Sequence, residues 1–219
     1  MPRKVRPEIL DSLPASDPDA LASRRDLKRI NQLMGNTRWL IKQLKVNSAE
    51  TAPHYLEIGA GDGTLAKHLI HHLHPKQYTA LDLAPCPSEW PKGDDEQWKQ
   101  ADLLHEDNYA TATHLIANLV LHHFEAPALE QIGRHIHDHN IQTILCCEPC
   151  RRTIHKAQLL AGKLIGFNQV TLHDGCVSID AGFRQNELPL ALGLQPDQWQ
   201  WKIQETLMGA YRMIAQRRP

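Results

Sequence analysis

Between residues 55 and 70 the chain reads YLEIGAGDGTLAKHLI, placing Gly59, Gly61 and Gly63 at alternate positions between an apolar run and a run with helical spacing. Ordered glycine costs backbone entropy, so this spacing marks a backbone that turns tightly and lets a ligand come close. Dinucleotide-binding loops use G-x-G-x-x-G at such a point, but here Thr64 stands where the last glycine would be. An acid, Glu57, lies two residues before the first glycine. A carboxylate there repels a phosphate and suits an amine or another cationic group.

Two further acids follow at regular intervals. Asp82, closing the apolar run in ALDLA, can accept hydrogen bonds from both hydroxyls of a ribose. Asp102, in QADLL, can accept from an adenine amino group, with Leu103 beside the ring. An adenosine-like body, a positive centre and no pyrophosphate together describe S-adenosylmethionine.

These residues need a frame that brings them together. From His54 onward short apolar runs (HYLEIG, YTALDLA, WKQADLL, THLIANLVL, IQTILCCEP) alternate with helical patterns (GTLAKHLIHHLHP, APALEQIGRHIHDHN and 151–165). Such alternation predicts crossover units and a mostly parallel sheet covered on both faces. Ligands of open sheets of this kind bind beyond the carboxyl ends of the strands, where the glycine loop falls. WQWKIQETLM and AYRMIAQR predict a terminal antiparallel pair, whereas HDGCVSIDAGFRQNELPLAL fits strand or helix by periodicity. Near the N-terminus Pro2, Pro7, Pro14 and Pro18 break up any long helix, and Asp17 or Asp19 is placed to cap one running from about 19 to 45, interrupted at Gly35. Residues 1–50 are read as a helical extension of the same domain, and 51–219 as its main body.

In that order E-I-G-A-G-D-G, LDL, ADLL and ANLVLHHF resemble the motifs of class I S-adenosylmethionine-dependent methyltransferases of the small-molecule type. The resemblance covers about 57–150 and extends through HDGCVSIDAGFRQNEL to the closing strands, while SRRDLKRINQLMGNTRW is similar to a leader of some bacterial small-molecule members. It implies a Rossmann-like three-layer α/β sandwich with a mostly parallel seven-stranded sheet, a C-terminal antiparallel strand and an N-terminal helical extension. It also implies that Glu57, Gly59, Gly61 and Gly63 hold the methionine end of S-adenosylmethionine. Asp82, with Leu83 next to it, would hold the ribose, Asp102 and Leu103 the adenine, and Asn118 would line the floor near the sulfonium. The chain departs from many relatives in carrying Thr113-His114 where they have an acid near the start of the fourth strand.

Histidines and cysteines offer further chemistry. His68, His71 and His72 have a spacing that can bind zinc, but the opposite face of their helix is apolar and they read as a solvated face. Cys146, Cys147 and Cys150 lack a second pair of ligands and read as structural, so no metal is expected. His122 and His123 fall on the ligand-facing edge, where one could line a methyl-transfer site or simply be structural. His173, beside Asp174, is the stronger candidate base, although Asp174 could instead cap a helix. Arg151 and Arg152 could hold a substrate anion or be solvated. The expected reaction is methylation of oxygen, or of an enolisable carbon, on a small phenol- or enol-type acceptor with His173 and His122 as catalytic groups. The alternatives are a methyltransferase acting on protein or nucleic acid, and a non-catalytic module that binds the cofactor.

Composition narrows these classes. The 219 residues carry 24 basic and 25 acidic side chains, a net charge of −1, which gives no general field for nucleic acid or an anionic membrane. The strand-four motif also lacks the N/D-P-P-Y/F of base-amino methyltransferases, so nucleic acid is disfavoured. No apolar run approaches membrane-spanning length, the basic N-terminus lacks a signal-peptide core, and five cysteines form no disulfide framework. A cytoplasmic protein with a small-molecule acceptor is expected; the oligomeric state is left open.

Overall fold

The alternating apolar runs pair side by side in a computed structural model that describes residues 2–14, 16–47, 53–91 and 93–219. Strands β1 (His54–Ile58), β2 (Gln77–Asp82), β3 (Glu96–Gln100), β4 (His114–Asn118), β5 (Thr143–Pro149), β6 (Trp199–Glu205) and β7 (Ala210–Arg217) form one seven-stranded sheet. Its order is β3-β2-β1-β4-β5-β7-β6. The first five strands are parallel, and β7 runs antiparallel to both β5 and β6. The fold is the Rossmann-like sandwich expected from the motifs.

Helices cover both faces because the inner strands are apolar on both. On one face Leu56, Ile58, Leu115 and Ile144 pack with Leu129, Ile132 and Ile136 of α4 (Ala126–Asp138), Leu188 of α7 (Glu187–Ala191) and Leu192 just after it. On the other, Tyr55, Tyr78, Ile116 and Leu145 pack with Leu40 and Leu44 of α2 (Asn36–Asn47) and Ala66 and Leu69 of α3 (Thr64–Leu73). Cys146 and Cys147 are fully buried on opposite faces, and burial pushes both thiols upward.

The helix expected over 19–45 is two helices, α1 (Pro18–Met34) and α2, broken at Gly35. Asp17 caps α1 through the N–H groups of Asp19 and Ala20, and Gly35 ends it in the left-handed region at φ 68°. The helix expected over 151–165 is shorter, α5 (Thr153–Ala161) followed by a 3-10 turn to Ile165. The ambiguous segment resolves into helices, α6 (Gln169–Ala181) and α7. Residues 48–52, where the expected boundary between extension and main body falls, lie outside the described residues.

Two features close the carboxyl edge of the sheet. Helix α1 docks on α6 through Asp26, whose carboxylate accepts from Asn168 N–H at 2.8 Å and Thr171 Oγ1 at 3.1 Å. Ahead of α1, residues 3–12 run as a strap over α6 and the turn after β4. Asp174 accepts the N–H groups of Ile9 and Leu10, each at 2.9 Å, and Arg3 donates to the carbonyls of His122 and Phe124.

Candidate functional site

All three loop glycines adopt left-handed conformations, φ 68°, 60° and 71° at Gly59, Gly61 and Gly63, which L side chains rarely take. They differ in surroundings. A Cβ on Gly59 would lie 2.3 Å from Val120 Cγ2, so the loop and the turn after β4 are in close contact. A Cβ on Gly61 would meet nothing within 4 Å, so the loop is open to a ligand there.

Asp82 holds this loop directly, its Oδ2 accepting the Gly61 N–H at 2.7 Å and its Oδ1 the Ala84 N–H at 2.8 Å. Asp102 lies two residues past β3 and accepts the Leu104 N–H at 2.9 Å; Leu103 leans on the core while Leu83 is 71% exposed. Because β3, β2, β1 and β4 are sheet neighbours, Asp102, Asp82, the glycine loop and Asn118 fall in line along one edge.

Glu57 lies beneath the loop. It is buried, accepts the Tyr78 hydroxyl at 2.5 Å, and has its pKa raised to about 8. Burial is the main cause, and the charges of Asp82 and Asp62 add to it against the opposing Tyr78 bond. Asn118, at the end of β4, accepts from Asn36 Nδ2 at 3.2 Å. Asn36 is itself buried, and its Oδ1 has no hydrogen-bond partner among the described residues. Sequence reasoning passed over Asn36 because it lies in the leader; its position just past Gly35, at the start of α2, was the available signal.

The turn after β4 is organised by a second residue that the sequence reading did not single out. Glu148, fully buried on β5, accepts the N–H groups of Val120, Leu121 and His122 and meets His122 Nδ1 at 2.7 Å. A lone acid inside the apolar run ILCCEP was its signal. His122 is buried, with Nε2 3.9 Å from Glu8 of the strap. Burial disfavours its charge, yet hydrogen bonds and charges from Glu148 and Glu8 prevail and raise its pKa to about 9. His123 is exposed and packs ring to ring on His122 at 4.2 Å.

The two histidines expected to be catalytic are not brought together. His173 is half exposed, bonds Asp174 at 2.8 Å, and lines an open groove of about 520 Å³ with Arg6, Lys156, Lys163 and Asp180. Arg151 and Arg152 are committed internally. Arg151 is buried and bonds the Gly182 carbonyl and Glu187, and Arg152 pairs with Glu205. His68, His71 and His72 are exposed on α3.

No protein-family profile matches the sequence, and no curated protein is similar to it. Solved structures do share its fold. The plantazolicin methyltransferase BpumL, in complex with SAH, superposes with a TM-score of 0.68 at 11% identity over 93% of this chain and 92% of that one. The methyltransferase domain of a bacterial Hen1 protein, CtHen1, gives 0.57 at 14% identity over 86% of this chain and 100% of that one. The pyocyanin biosynthetic protein PhzM gives 0.60 at 14% identity, with 93% of this chain covering 60% of that one. The chain therefore has the class I methyltransferase fold. No helix among the described residues is long and apolar enough to cross a membrane.

Proposed function

We propose that the protein is an S-adenosylmethionine-dependent methyltransferase acting on a small organic acceptor, at oxygen or at an enolisable carbon. The observation that carries this reading is the open, left-handed glycine loop held by Asp82, with Asp102 at the next strand end. That BpumL, which shares the fold, was crystallised in complex with SAH supports the choice of cofactor.

The residues fit such a ligand. Gly61 opens space, the partly exposed Asp82 carboxylate suits a ribose diol, and Asp102 with Leu103 suits an adenine. Glu57 and the unpartnered Asn36 Oδ1 are acceptors for a cationic end, with Asn118 bonded between the leader and the sheet. When bound, S-adenosylmethionine supplies an activated methyl group on a sulfonium. What the chain must add is alignment and exclusion of water, both of which lower a barrier without a chemical step. Val120 packed on Gly59 fixes the turn after β4 against the loop, and the strap and α1 cover that edge.

His122 in this reading is a positioning residue: Nδ1 is taken by Glu148 and Nε2 faces Glu8. His173 remains the group proposed to take a proton, from an acceptor that reaches its groove. The chemistry of the structural neighbours is consistent with a small acceptor, PhzM being a pyocyanin biosynthetic protein and BpumL a plantazolicin methyltransferase.

Calorimetric titration with S-adenosylhomocysteine, with NAD as control, tests the proposal. Saturable binding of the first alone, lost in Asp82→Ala, is expected. Preference for NAD, or no binding of S-adenosylhomocysteine, would overturn it.

A further inference from the structure

We propose that Glu8, His122 and His123 form a binding site for one divalent transition-metal ion, joining the N-terminal strap to the turn after β4. One ligand atom from each of the three lies within 4.8 Å of the others, and the closest recorded pair, His122 Nε2 and Glu8 Oε1, is 3.9 Å apart. An ion of the zinc class sits about 2.0–2.2 Å from such donors, which asks for separations of about 3–3.5 Å between them. Contraction by about half an ångström for the recorded pair, and by no more than about 1.8 Å for the widest, therefore closes the site, within the reach of an exposed His123 ring and a strap carboxylate.

The surroundings are built as metal ligands require. Metal-bound imidazoles commonly give their second nitrogen to a carboxylate, which fixes tautomer and ring orientation. His122 does this through Nδ1 to Glu148, and Glu148 is in turn locked by three backbone N–H groups. The arrangement leaves Nε2 aimed at Glu8. Ser178 Oγ donates to the Glu8 carboxylate from α6 and orients it in the same way. Two imidazoles with one carboxylate favour zinc or another late transition metal over calcium or magnesium, which prefer all-oxygen shells; manganese, also oxygen-preferring, serves as the weaker-binding comparison.

The site was hidden in the sequence because its ligands are more than a hundred residues apart, Glu8 against His122-His123. The more conspicuous histidines, His68, His71 and His72, are solvated on α3 with no carboxylate ligand among them.

The test is titration of the chelator-treated, dialysed full chain with Zn²⁺ and, separately, Mn²⁺, by calorimetry, without cofactor or acceptor. It is therefore independent of the methyl-transfer reading. One ion per chain is expected, with affinity reduced at least about tenfold in Glu8→Gln and in His123→Ala and unchanged in a His71→Ala/His72→Ala control. Both ligand changes are at the surface or in the strap, so circular dichroism should report an intact fold. Absence of binding by either ion, binding retained in both ligand variants, or loss in the α3 control would overturn the proposal. The first of these would leave Glu8 and His122 as a plain ion pair.

Discussion

Glu57 shows how far a residue type can be read without its surroundings. Its position before the glycines was legible and suggested a charged partner for a cation. Its burial against Tyr78 was not, because both depend on which face of β1 and β2 each side chain takes. With its pKa at about 8 in the folded chain against 4.5 for an ordinary carboxyl, the folded state binds the extra proton between those values. Its contribution to stability is thus fully present below about pH 4.5 and is lost as pH rises through 8. Glu57→Gln keeps an acceptor for Tyr78 without the ionisable proton. We expect it to raise the melting temperature at pH 8 and to give no gain at pH 5, as read by thermal denaturation at the two pH values. An equal shift at both would mean that Glu57 is not held neutral. The turn at the glycines and the strand-end place of Asp82 were legible, because positive φ and a strand-end acid are properties of a short stretch.

The elements divide along the same line. Parallel strands β1 to β5 and the closing hairpin were plain from apolar runs and spacing, since each is local. The break between α1 and α2, the helical state of 169–191 and the course of the strap were decided by tertiary contacts. Asp174 is the clearest case. Beside His173 in the sequence it looked like the partner of a base or a helix cap; in the fold it does meet His173 Nδ1, but both its oxygens also accept the N–H groups of Ile9 and Leu10 from the strap. A buried carboxylate accepting two backbone donors anchors a segment with few other buried contacts. Asp174→Ala should raise hydrogen exchange across residues 3–12 at least about tenfold, while the amides of β1, β4 and β5 keep their protection. Equal loosening of the sheet would show that Asp174 supports the whole fold and not the strap.

At the scale of the whole molecule the question is what kind of acceptor the surface admits. A net charge of −1 leaves room for local basic patches, and the sequence shows two, RRDLKR at 24–29 and RRTIHK at 151–156. The fold pairs five of their seven arginines and lysines with acids, Lys28, Arg29, Arg151, Arg152 and Lys156. Lys28 lies 3.3 Å from Asp62 and Arg29 3.5 Å from Asp26, while Arg151 bonds Glu187, Arg152 bonds Glu205 and Lys156 lies 2.6 Å from Asp180. The exposed pair Lys28–Asp62 adds little stability, but every one of these pairs places an acid beside the cation, so the field falls off as a dipole and not as a charge. Affinity for a polyanion comes from cations that release its counterions, and paired cations have less to release. A fluorescently labelled single-stranded RNA and a DNA duplex should accordingly bind no tighter than about 10⁻⁴ M at physiological salt, the weak end of non-specific association. Anisotropy titration at two salt concentrations measures this. Micromolar binding with a steep salt dependence would mean that the pairs open for a phosphate backbone, and it would restore nucleic acid over a small molecule as the acceptor.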